Sequence, residues 1–320
     1  MNLRESSVEF LSGYFSTNDR GPKTQAAYGS DLKQFQTFVG PHMSLLSLTA
    51  AVIERWAAHL RQNQYASSSI RRKLAVLKVF CGYWMRRGDI PESPFWRVKL
   101  SLGRVKQLPR TLTEGEMRDL LLQTGRNCSA IRDRACSEPN SRRDSFRRYR
   151  LVRNLALVDL LFATGMRVGE VSALDVRDFL VQDGVFKVQG KGGRNRLAFA
   201  VDAETLRIQQ QHVDARARME PESPALFLNA AGRRLSTQGI SKALAELRKA
   251  AGIDRHVTPH MLRHTVATLL LRNGADIRVV QEFLGHSSIA TTQRYTHIAK
   301  EHLVGVLQKH HPSFGLRARV

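Results

Sequence analysis

One helix start decides how the second half of this chain is interpreted: Thr258-Pro259-His260-Met261-Leu262-Arg263-His264. Threonine is a favoured N-cap and proline suits the first helical position, so a helix is predicted to begin at Pro259. His260 and Arg263 are three residues apart and therefore share one face of that helix. One phosphate could receive both the guanidinium fork of Arg263 and the imidazole of His260. Taken alone, Arg263 would be interpreted as a surface arginine.

Four further motifs carry residues suited to phosphate chemistry: Thr164-Gly165-Met166-Arg167-Val168-Gly169-Glu170, Gly190-Lys191-Gly192-Gly193, Leu284-Gly285-His286 and Arg294-Tyr295-Thr296-His297. Together they supply cations, proton carriers and one phenol. No pair of Asp or Glu residues is placed to hold Mg²⁺, so two-metal cleavage of a phosphodiester lacks its ligands. Cleavage without a metal needs cations on the nonbridging oxygens, an aligned nucleophile and an acid for the leaving oxygen. The sequence has candidates for each role.

The chain of 320 residues is strongly basic. Lys and Arg number 50 against 28 for Asp and Glu, and the formal net charge is +22. A nucleic acid is the polyanion that fits best, because the phosphates of a duplex take up many Lys and Arg contacts with release of counterions. A soluble basic protein without such a partner is the alternative.

Four segments with helical hydrophobic spacing predict a small all-helical domain at the amino end, near residues 5–17, 22–38, 49–63 and 67–87. Lys23 and Thr24 begin the second helix, and Arg71, Arg72 and Lys73 lie near the start of the fourth. Helix starts offer backbone N–H groups and a positive dipole end, so these residues are predicted to contact DNA. A solvated charged face with ordinary N-caps is the alternative.

Composition and capping predict the domain boundaries. Residues 1–96 form the predicted DNA-binding helical domain, and residues 97–112, which are basic and lack a hydrophobic period, form a linker. Thr113 and Glu116 match a capping box, so the second domain is predicted to occupy residues 113–320.

The second domain is predicted to be helical with one small sheet. Residues 125–150 are rich in arginine and predict a mobile, basic surface insertion that could reach DNA or an accessory protein, although an insertion without function is the alternative. A buried helix is expected over residues 155–164. Three antiparallel strands are expected at residues 179–181, 185–189 and 197–201, and the remainder, residues 236–308, is predicted to be helical.

The residues suited to chemistry follow one order along the chain, namely Arg167, Lys191, His260, Arg263, His286 and Tyr295. This order closely resembles that of the tyrosine recombinases, the phage integrase family, with the nearest likeness to its Xer-like members. The resemblance covers nearly the whole chain. It implies a mainly α fold, in which an N-terminal four-helix SAM-like core-binding domain precedes an α-helical catalytic domain with a small antiparallel three-stranded sheet.

The resemblance also implies how the phosphate would be held. Arg167 and Arg263 would clamp the scissile phosphate, and His286 would donate a hydrogen bond to it. Lys191 would protonate the leaving 5′ oxygen, and His260 would assist proton transfer.

Tyr295 would be the nucleophile and would form a 3′-phosphotyrosyl link, which releases a 5′ hydroxyl. A phenol has a pKa of about 10, so nearby cations and a proton acceptor must help Tyr295 to ionise. Glu170 would support Arg167 from behind the site. Arg194, close to Lys191 in sequence, is assigned to DNA binding.

The implied reaction needs no cofactor, because each of its two transesterifications conserves the energy of the bond that it breaks. The implied partners are double-stranded DNA with an inverted-repeat core site, a homo-tetramer or hetero-tetramer on paired sites, and an accessory protein; no membrane partner is expected. The terminal helix, residues 299–311, would be exchanged between protomers. Packing of that helix on its own chain is the alternative.

Single motifs would support weaker conclusions. A glycine-rich turn around Lys191 is usually only a hairpin turn, and a lone tyrosine such as Tyr295 is usually half-buried. A P-loop is excluded because Gly192 stands where Ser or Thr is required, and a zinc protease motif is excluded because Met261 follows His260. His264 is interpreted as structural.

Two rival functions remain open: a type IB topoisomerase-like enzyme and a DNA-binding accessory protein that does not cleave. Within the recombinase interpretation, the sequence does not distinguish integration of a mobile element, cointegrate resolution and dimer resolution of chromosomes or plasmids. The recognition site depends on side-chain geometry and DNA deformability, which the sequence does not give.

The expected location is the cytoplasm. The amino end lacks the apolar core of a secretory signal, and the most apolar stretch, residues 155–166, is interrupted by Asp159 and is too short to span a bilayer. The three cysteines, Cys81, Cys128 and Cys136, form no CxxC pair and are interpreted as reduced thiols.

Overall fold

The computed structural model describes residues 1–18, 21–98, 111–132, 142–189, 195–200, 202–285, 297–313 and 316, with the backbone alone described at residues 126–132, 142–143 and 297–302. The chain divides into two compact units, Met1–Lys106 and Gln107–Val320. Each unit contains its own large cluster of buried hydrophobic side chains. The predicted fold class, mainly helical with one small antiparallel sheet, is confirmed.

The first unit contains helices α1 (Leu3–Thr17), α2 (Pro22–Val39), α3 (Ala50–Gln62) and α4 (Ser67–Arg86). All four agree with the predicted segments to within two residues. A capping box begins α1, since the backbone N–H of Glu5 donates to Asn2 Oδ1 and the backbone N–H of Asn2 donates to the Glu5 carboxylate. Phe10 and Phe80 are fully buried and meet edge to face, with ring centroids 5.3 Å apart, so α1 packs against α4 in the core.

The second unit is built from eight helices and three strands among the described residues: α5 (Glu114–Arg132), α6 (Arg142–Thr164), α7 (Val168–Ala173), β1 (Phe179–Leu180), β2 (Val185–Gln189), β3 (Asn195–Phe199), α8 (Ala203–Ala217), α9 (Thr237–Ala250), α10 (Pro259–Arg272), α11 (Ile277–Leu284) and α12 (His297–His310). The second half of α6, residues 156–164, is buried on every side, including the polar side chain of Asp159, and runs through the core of this unit. Among the described residues of both units, no helix has the length and apolar character needed to cross a membrane.

The three strands form one antiparallel sheet in the order β1-β2-β3. Its register pairs Gln189 with Asn195 and Val185 with Phe199. The prediction for β3 is therefore wrong by two residues, because pairing with β2 extends the strand towards the turn and ends it at Phe199. β1 also ends one residue early, at Leu180, since the chain turns there through Gly184 with a positive φ of 62°.

Both flanks of the arginine-rich segment are helical, which the sequence analysis did not predict. Residues 125–132 continue α5, and residues 142–150 form the first turns of α6, which begins at Arg142 and not at residue 155. Tyr149 anchors residues 142–150 to the rest of the second unit. Its ring is buried, and its hydroxyl accepts a 3.0 Å hydrogen bond from the Leu228 N–H and lies 3.3 Å from His212 Nε2. The rest of the predicted insertion, residues 133–141, lies outside the described residues.

Helix α8 has no counterpart in the sequence prediction, because its buried face is largely polar. Asp202 caps it by accepting a hydrogen bond from the Thr205 N–H. The buried residues have helical spacing but include Gln209, His212 and Arg216. A search for apolar periodicity misses such a helix. Burial lowers the pKa of His212 to about 3, so this ring is a neutral component of the core.

Helix α12 packs against its own domain in the single chain. Leu303 and Leu307 belong to the core of the second unit. Beyond the helix, His311 is buried between Phe162 and Phe283, with ring centroids 5.8 Å and 5.9 Å away. This is the packing that the sequence left as an alternative, whereas exchange between protomers concerns a second chain and stays a prediction.

The hydroxyl of Tyr149 should contribute measurably to the stability of the second unit. Tyr149→Phe leaves the buried Leu228 N–H and His212 without their partner, and loss of such a hydrogen bond costs about 1–3 kcal/mol. Urea unfolding measures the change. Tyr65→Phe is the control, because Tyr65 is exposed and its substitution should change the free energy of unfolding by less than about 0.5 kcal/mol. A Tyr149→Phe protein as stable as the wild type would contradict the role of the hydroxyl.

Candidate active site

Arg263 is buried between two helix ends. It lies in the second turn of α10, whose start is capped by Thr258 as predicted, with the Met261 N–H donating to Thr258 Oγ1 at 3.2 Å. Nη1 of Arg263 donates to the Gly165 carbonyl at 2.6 Å, and Nη2 donates to the Leu284 carbonyl at 2.7 Å. Burial and then the charge of Arg167 lower the pKa of Arg263 to about 10. It therefore stays cationic at neutral pH.

Arg167 stands at the N-cap of α7 and is held by three contacts. Its backbone N–H and its Nη1 donate to the two oxygens of Glu170, at 2.8 Å and 2.9 Å. Its Nη2 donates to the Gly285 carbonyl at 3.2 Å. The side chain nevertheless remains 42% exposed, so the guanidinium is fixed in position and open to solvent.

Glu170 is the carboxylate that supports the arginines. Its side chain is only 9% exposed, and it also accepts a 2.8 Å hydrogen bond from Arg196 Nη2. Burial alone would raise the pKa of the Glu170 carboxyl, but the hydrogen bond and charge of Arg196, joined by the hydrogen bonds from Arg167, outweigh burial and lower it. Glu170 therefore lies against Arg167, and its role in supporting that arginine during catalysis stays a prediction.

Arg196 was missed by the sequence reasoning. It lies on β3 opposite Val188, and its side chain is 14% exposed. Besides Glu170, its Nη1 reaches the Phe283 carbonyl at 3.4 Å. The only hint in the sequence is a second arginine close to Arg194 after the glycine-rich turn, and nothing there distinguishes it from a surface residue.

The two histidines of α10 are both exposed. His260, the predicted proton carrier, is open to solvent one turn before the buried Arg263. His264, which was predicted to be structural, is also exposed, whereas the neighbouring Arg263 is buried. The predicted residues Lys191, Arg194, His286 and Tyr295 lie outside the described residues, so their positions stay predictions.

The predicted DNA contacts of the first unit differ in their surroundings. Lys23 is exposed and Thr24 half-buried in the first turn of α2, which starts with Gly21 as N-cap and Pro22 as its first residue. Arg71 is half-buried near the start of α4. Arg72 is exposed but forms an ion pair with Asp31, so part of its charge is already neutralised.

The structure contradicts the predicted DNA contact of Lys73, because the ammonium group of this residue does not reach the surface. The side chain is 4% exposed, and Nζ donates to Asp31 Oδ1 at 2.8 Å and to Gln34 Oε1 at 2.6 Å. It also lies 5.5 Å from the centroid of the Tyr65 ring. A buried ammonium needs such partners, and Lys73 therefore joins α4 to α2 inside the domain.

The described part of the site brings two catalytic candidates together from distant parts of the sequence. Arg167 and Arg263 donate to the carbonyls of Gly285 and Leu284, which are neighbours in the chain. Each guanidinium has five N–H groups, and these side-chain contacts use two of them in each residue. The arrangement can therefore present several donors to one tetrahedral anion.

Comparison with known families agrees with this geometry. The model of the phage integrase family matches residues 110–302, and that of the phage integrase N-terminal SAM-like domain matches residues 8–88. The chain belongs to the phage integrase family. The predicted resemblance to the tyrosine recombinases is thereby confirmed, and with it the enzyme class, which is cleavage and rejoining of DNA strands in site-specific recombination.

Individual relatives are similar over almost their whole length. Tyrosine recombinase XerC of Lactobacillus delbrueckii subsp. bulgaricus is 34% identical over 319 residues, which cover 98% of this chain and 99% of the relative. Tyrosine recombinase XerD of Halalkalibacterium halodurans is also 34% identical, over 306 residues that cover 93% and 95%. The likeness therefore includes both units.

Solved structures share the fold. A lambda integrase dimer fragment bound to a COC′ core site has a TM-score of 0.66 at 17% identity and covers 92% of this chain and 100% of its own. The XerH site-specific recombinase in a post-cleavage complex with a palindromic difH substrate has a TM-score of 0.66 at 22% identity and covers 93% and 82%. At these identities the likeness concerns the fold.

Glu170→Gln should destabilise the protein in a pH-dependent way. The substitution removes the charge that accepts hydrogen bonds from Arg167 and Arg196, which should cost about 1.5–3 kcal/mol at neutral pH. Because the folded pKa lies below the ordinary 4.5, this stabilisation is complete above that value and is lost as the pH falls through the folded pKa. The difference between wild type and variant should therefore shrink in acid.

Urea unfolding of both proteins from neutral pH down to acid measures this difference. Glu204→Gln is the matched control, because Glu204 pairs with Arg207 on the surface of α8 and such a pair contributes less than about 1 kcal/mol. A destabilisation by Glu170→Gln that is constant with pH would contradict a charged Glu170 in the folded protein.

Proposed function

We propose that this protein cuts and rejoins DNA strands through a covalent bond between Tyr295 and a 3′ phosphate. The observation that carries the proposal is the pair of fixed guanidiniums, Arg167 and Arg263, anchored on the adjacent carbonyls of Gly285 and Leu284. Within the described residues, side-chain hydrogen bonds use two of the five N–H groups of each guanidinium, so other N–H groups are left for the nonbridging oxygens of one phosphate. Fixed donors stabilise charge that develops there without reorganising during the reaction.

The remaining roles are proposals that family membership supports. The phenolate oxygen of Tyr295 attacks phosphorus, a phosphotyrosyl bond forms, and the bond to the 5′ oxygen breaks. Lys191 gives its proton to that leaving oxygen, while His260 takes part in proton transfer and His286 holds the phosphate. Attack by a 5′ hydroxyl reverses the sequence on the same or another strand, so no cofactor is consumed.

The proposed domain organisation separates DNA binding from catalysis. Residues 1–96 bind DNA as a core-binding domain, residues 97–112 link, and residues 113–320 carry the catalysis. The terminal helix, residues 299–311, is exchanged between protomers in the assembled complex. We also place the protein in the cytoplasm, which is where DNA lies in the bacteria whose recombinases it is similar to.

The proposed substrate is double-stranded DNA with an inverted-repeat core site, and the proposed active form is a tetramer on two paired sites. The net charge of +22 supports a DNA partner. Among the neighbours in fold, one lambda integrase structure is a dimer bound to a COC′ core site and another is a tetramer bound to a Holliday junction. A second recombinase or an accessory protein would be a further partner of the same complex.

Covalent trapping tests the proposed chemistry. Wild-type protein incubated with nicked DNA fragments should give adducts that survive denaturation, because the nick releases a short strand and prevents reversal. Tyr295→Phe should bind the same DNA with similar affinity and give no adduct, since it lacks the nucleophilic oxygen. Tyr65→Phe, which removes an exposed hydroxyl in the first unit, is the control and should give the wild-type yield.

Sequencing of the trapped DNA separates the rival functions. Adducts at one inverted-repeat site support a site-specific recombinase, whereas adducts spread over many sequences support a topoisomerase-like enzyme. Tight binding without any adduct from the wild type supports an accessory protein that does not cleave. An equal adduct yield from Tyr295→Phe would refute Tyr295 as the nucleophile.

Lys23 tests the proposed DNA contact of the first unit. Lys23→Ala should weaken DNA binding at all sequences and reduce the slope of log affinity against log salt by about 1, because one phosphate contact is lost. Fluorescence anisotropy over a salt series measures the slope. Lys33→Ala is the control, since Lys33 is exposed about 15 Å further along α2 and should change the slope less. Equal slopes for Lys23→Ala and the wild type would show that Lys23 does not contact a DNA phosphate.

A further inference from the structure

The C-terminal end of α11 is held by three arginines from three different elements. The carbonyls of Phe283, Leu284 and Gly285, consecutive in the chain, accept hydrogen bonds from Arg196 on β3, Arg263 on α10 and Arg167 before α7, respectively. The last carbonyls of a helix lack partners within the helix and carry its negative dipole end. The guanidiniums satisfy these carbonyls, so the helix end and the arginines fix one another.

Arg196 differs from the other two arginines because it connects the end of α11 to the carboxylate of Glu170 on α7. One arm of its guanidinium donates to Glu170 and the other reaches the Phe283 carbonyl. Its aliphatic stem lies against Gly285, where a Cβ atom would come within 2.6 Å of Arg196 Cδ and where φ is +65°. The stem can approach so closely only because this position is glycine.

We propose that Arg196 is a positioning residue for strand cleavage: it orients Arg167 through Glu170 and fixes the end of α11 that leads into His286. The proposal rests on the proposed function, in which Arg167 holds the scissile phosphate. Arg196 acts behind the site, since its side chain is largely buried and both of its arms bind protein oxygens. Lysine cannot replace it fully, because a single ammonium lacks the planar fork that reaches two acceptors.

Single-turnover cleavage of a nicked core site, at saturating protein, tests the proposal. Arg196→Met keeps the aliphatic stem and removes the guanidinium, so the cleavage rate should fall on the order of 10- to 100-fold as Arg167 loses its orientation. DNA affinity should change less than about 3-fold, since Arg196 does not contact the substrate. Arg196→Lys should have an intermediate rate. Arg207→Met, which breaks an exposed pair with Glu204, is the matched control and should cleave at the wild-type rate.

A double-mutant cycle identifies the route of the effect. In a Glu170→Gln background, Arg196→Met should cost clearly less than it does alone, because the carboxylate that transmits its effect is already altered. Glu170 faces three charged side chains, those of Arg167, Arg196 and Arg263. The cycle is measured at one neutral pH, so that the charges of these groups are the same in every variant. A purely structural loss would instead lower the DNA affinity together with the rate.

Three results would overturn the inference: a wild-type cleavage rate for Arg196→Met, a loss of DNA affinity as large as the loss of rate, or full additivity with Glu170→Gln. If Arg196→Met does not fold, Arg196→Lys decides, and a wild-type rate for that variant overturns the inference. Absence of an adduct from the wild type would count against the proposed function. An equal rate of adduct formation by wild type and Arg196→Met would count against the inference alone.

Discussion

The arginine cluster of the candidate active site depends on one carboxylate, that of Glu170, which is shared by Arg167 and Arg196. Together with Arg263, these arginines bring three positive charges into one small region, and burial, followed by the charges of Arg167 and Arg196, lowers the pKa of Arg263. Such a cluster is stable only if anions and oriented dipoles offset the repulsion and the loss of hydration. Glu170 supplies the anion, and the ends of α6 and α11 supply the carbonyls.

The parts of the fold that could be predicted are those set by local sequence. The helices of the first unit have apolar residues at helical spacing, and their observed bounds agree closely with that pattern. The start of α10 could be predicted equally well, because Thr258 and Pro259 determine it within a single helical turn. Glu170 could be placed behind Arg167 because the two residues are only three positions apart.

The parts that could not be predicted depend on partners distant in the chain. Lys73 has the sequence setting of a surface cation, yet Asp31 and Gln34 on another helix bury it. Helix α8 turns polar residues inward, where Arg216 donates to the Ala225 carbonyl, so apolar periodicity does not reveal it. Arg196 is recognisable only once β3 lies beside α7 and α11. No pattern of neighbouring residues encodes these contacts.

Gly165 and Gly285 form a matched pair at the ends of α6 and α11. Both have positive φ; the Gly165 carbonyl accepts a hydrogen bond from Arg263, and the Gly285 carbonyl accepts one from Arg167. A methyl group at Gly165 would come within 2.7 Å of Leu284, and one at Gly285 would meet Arg196. Neither glycine has a side chain that could read a base. Directed evolution towards new target sequences would therefore find both positions intolerant of substitution, and variants with altered specificity would have to arise elsewhere in the chain.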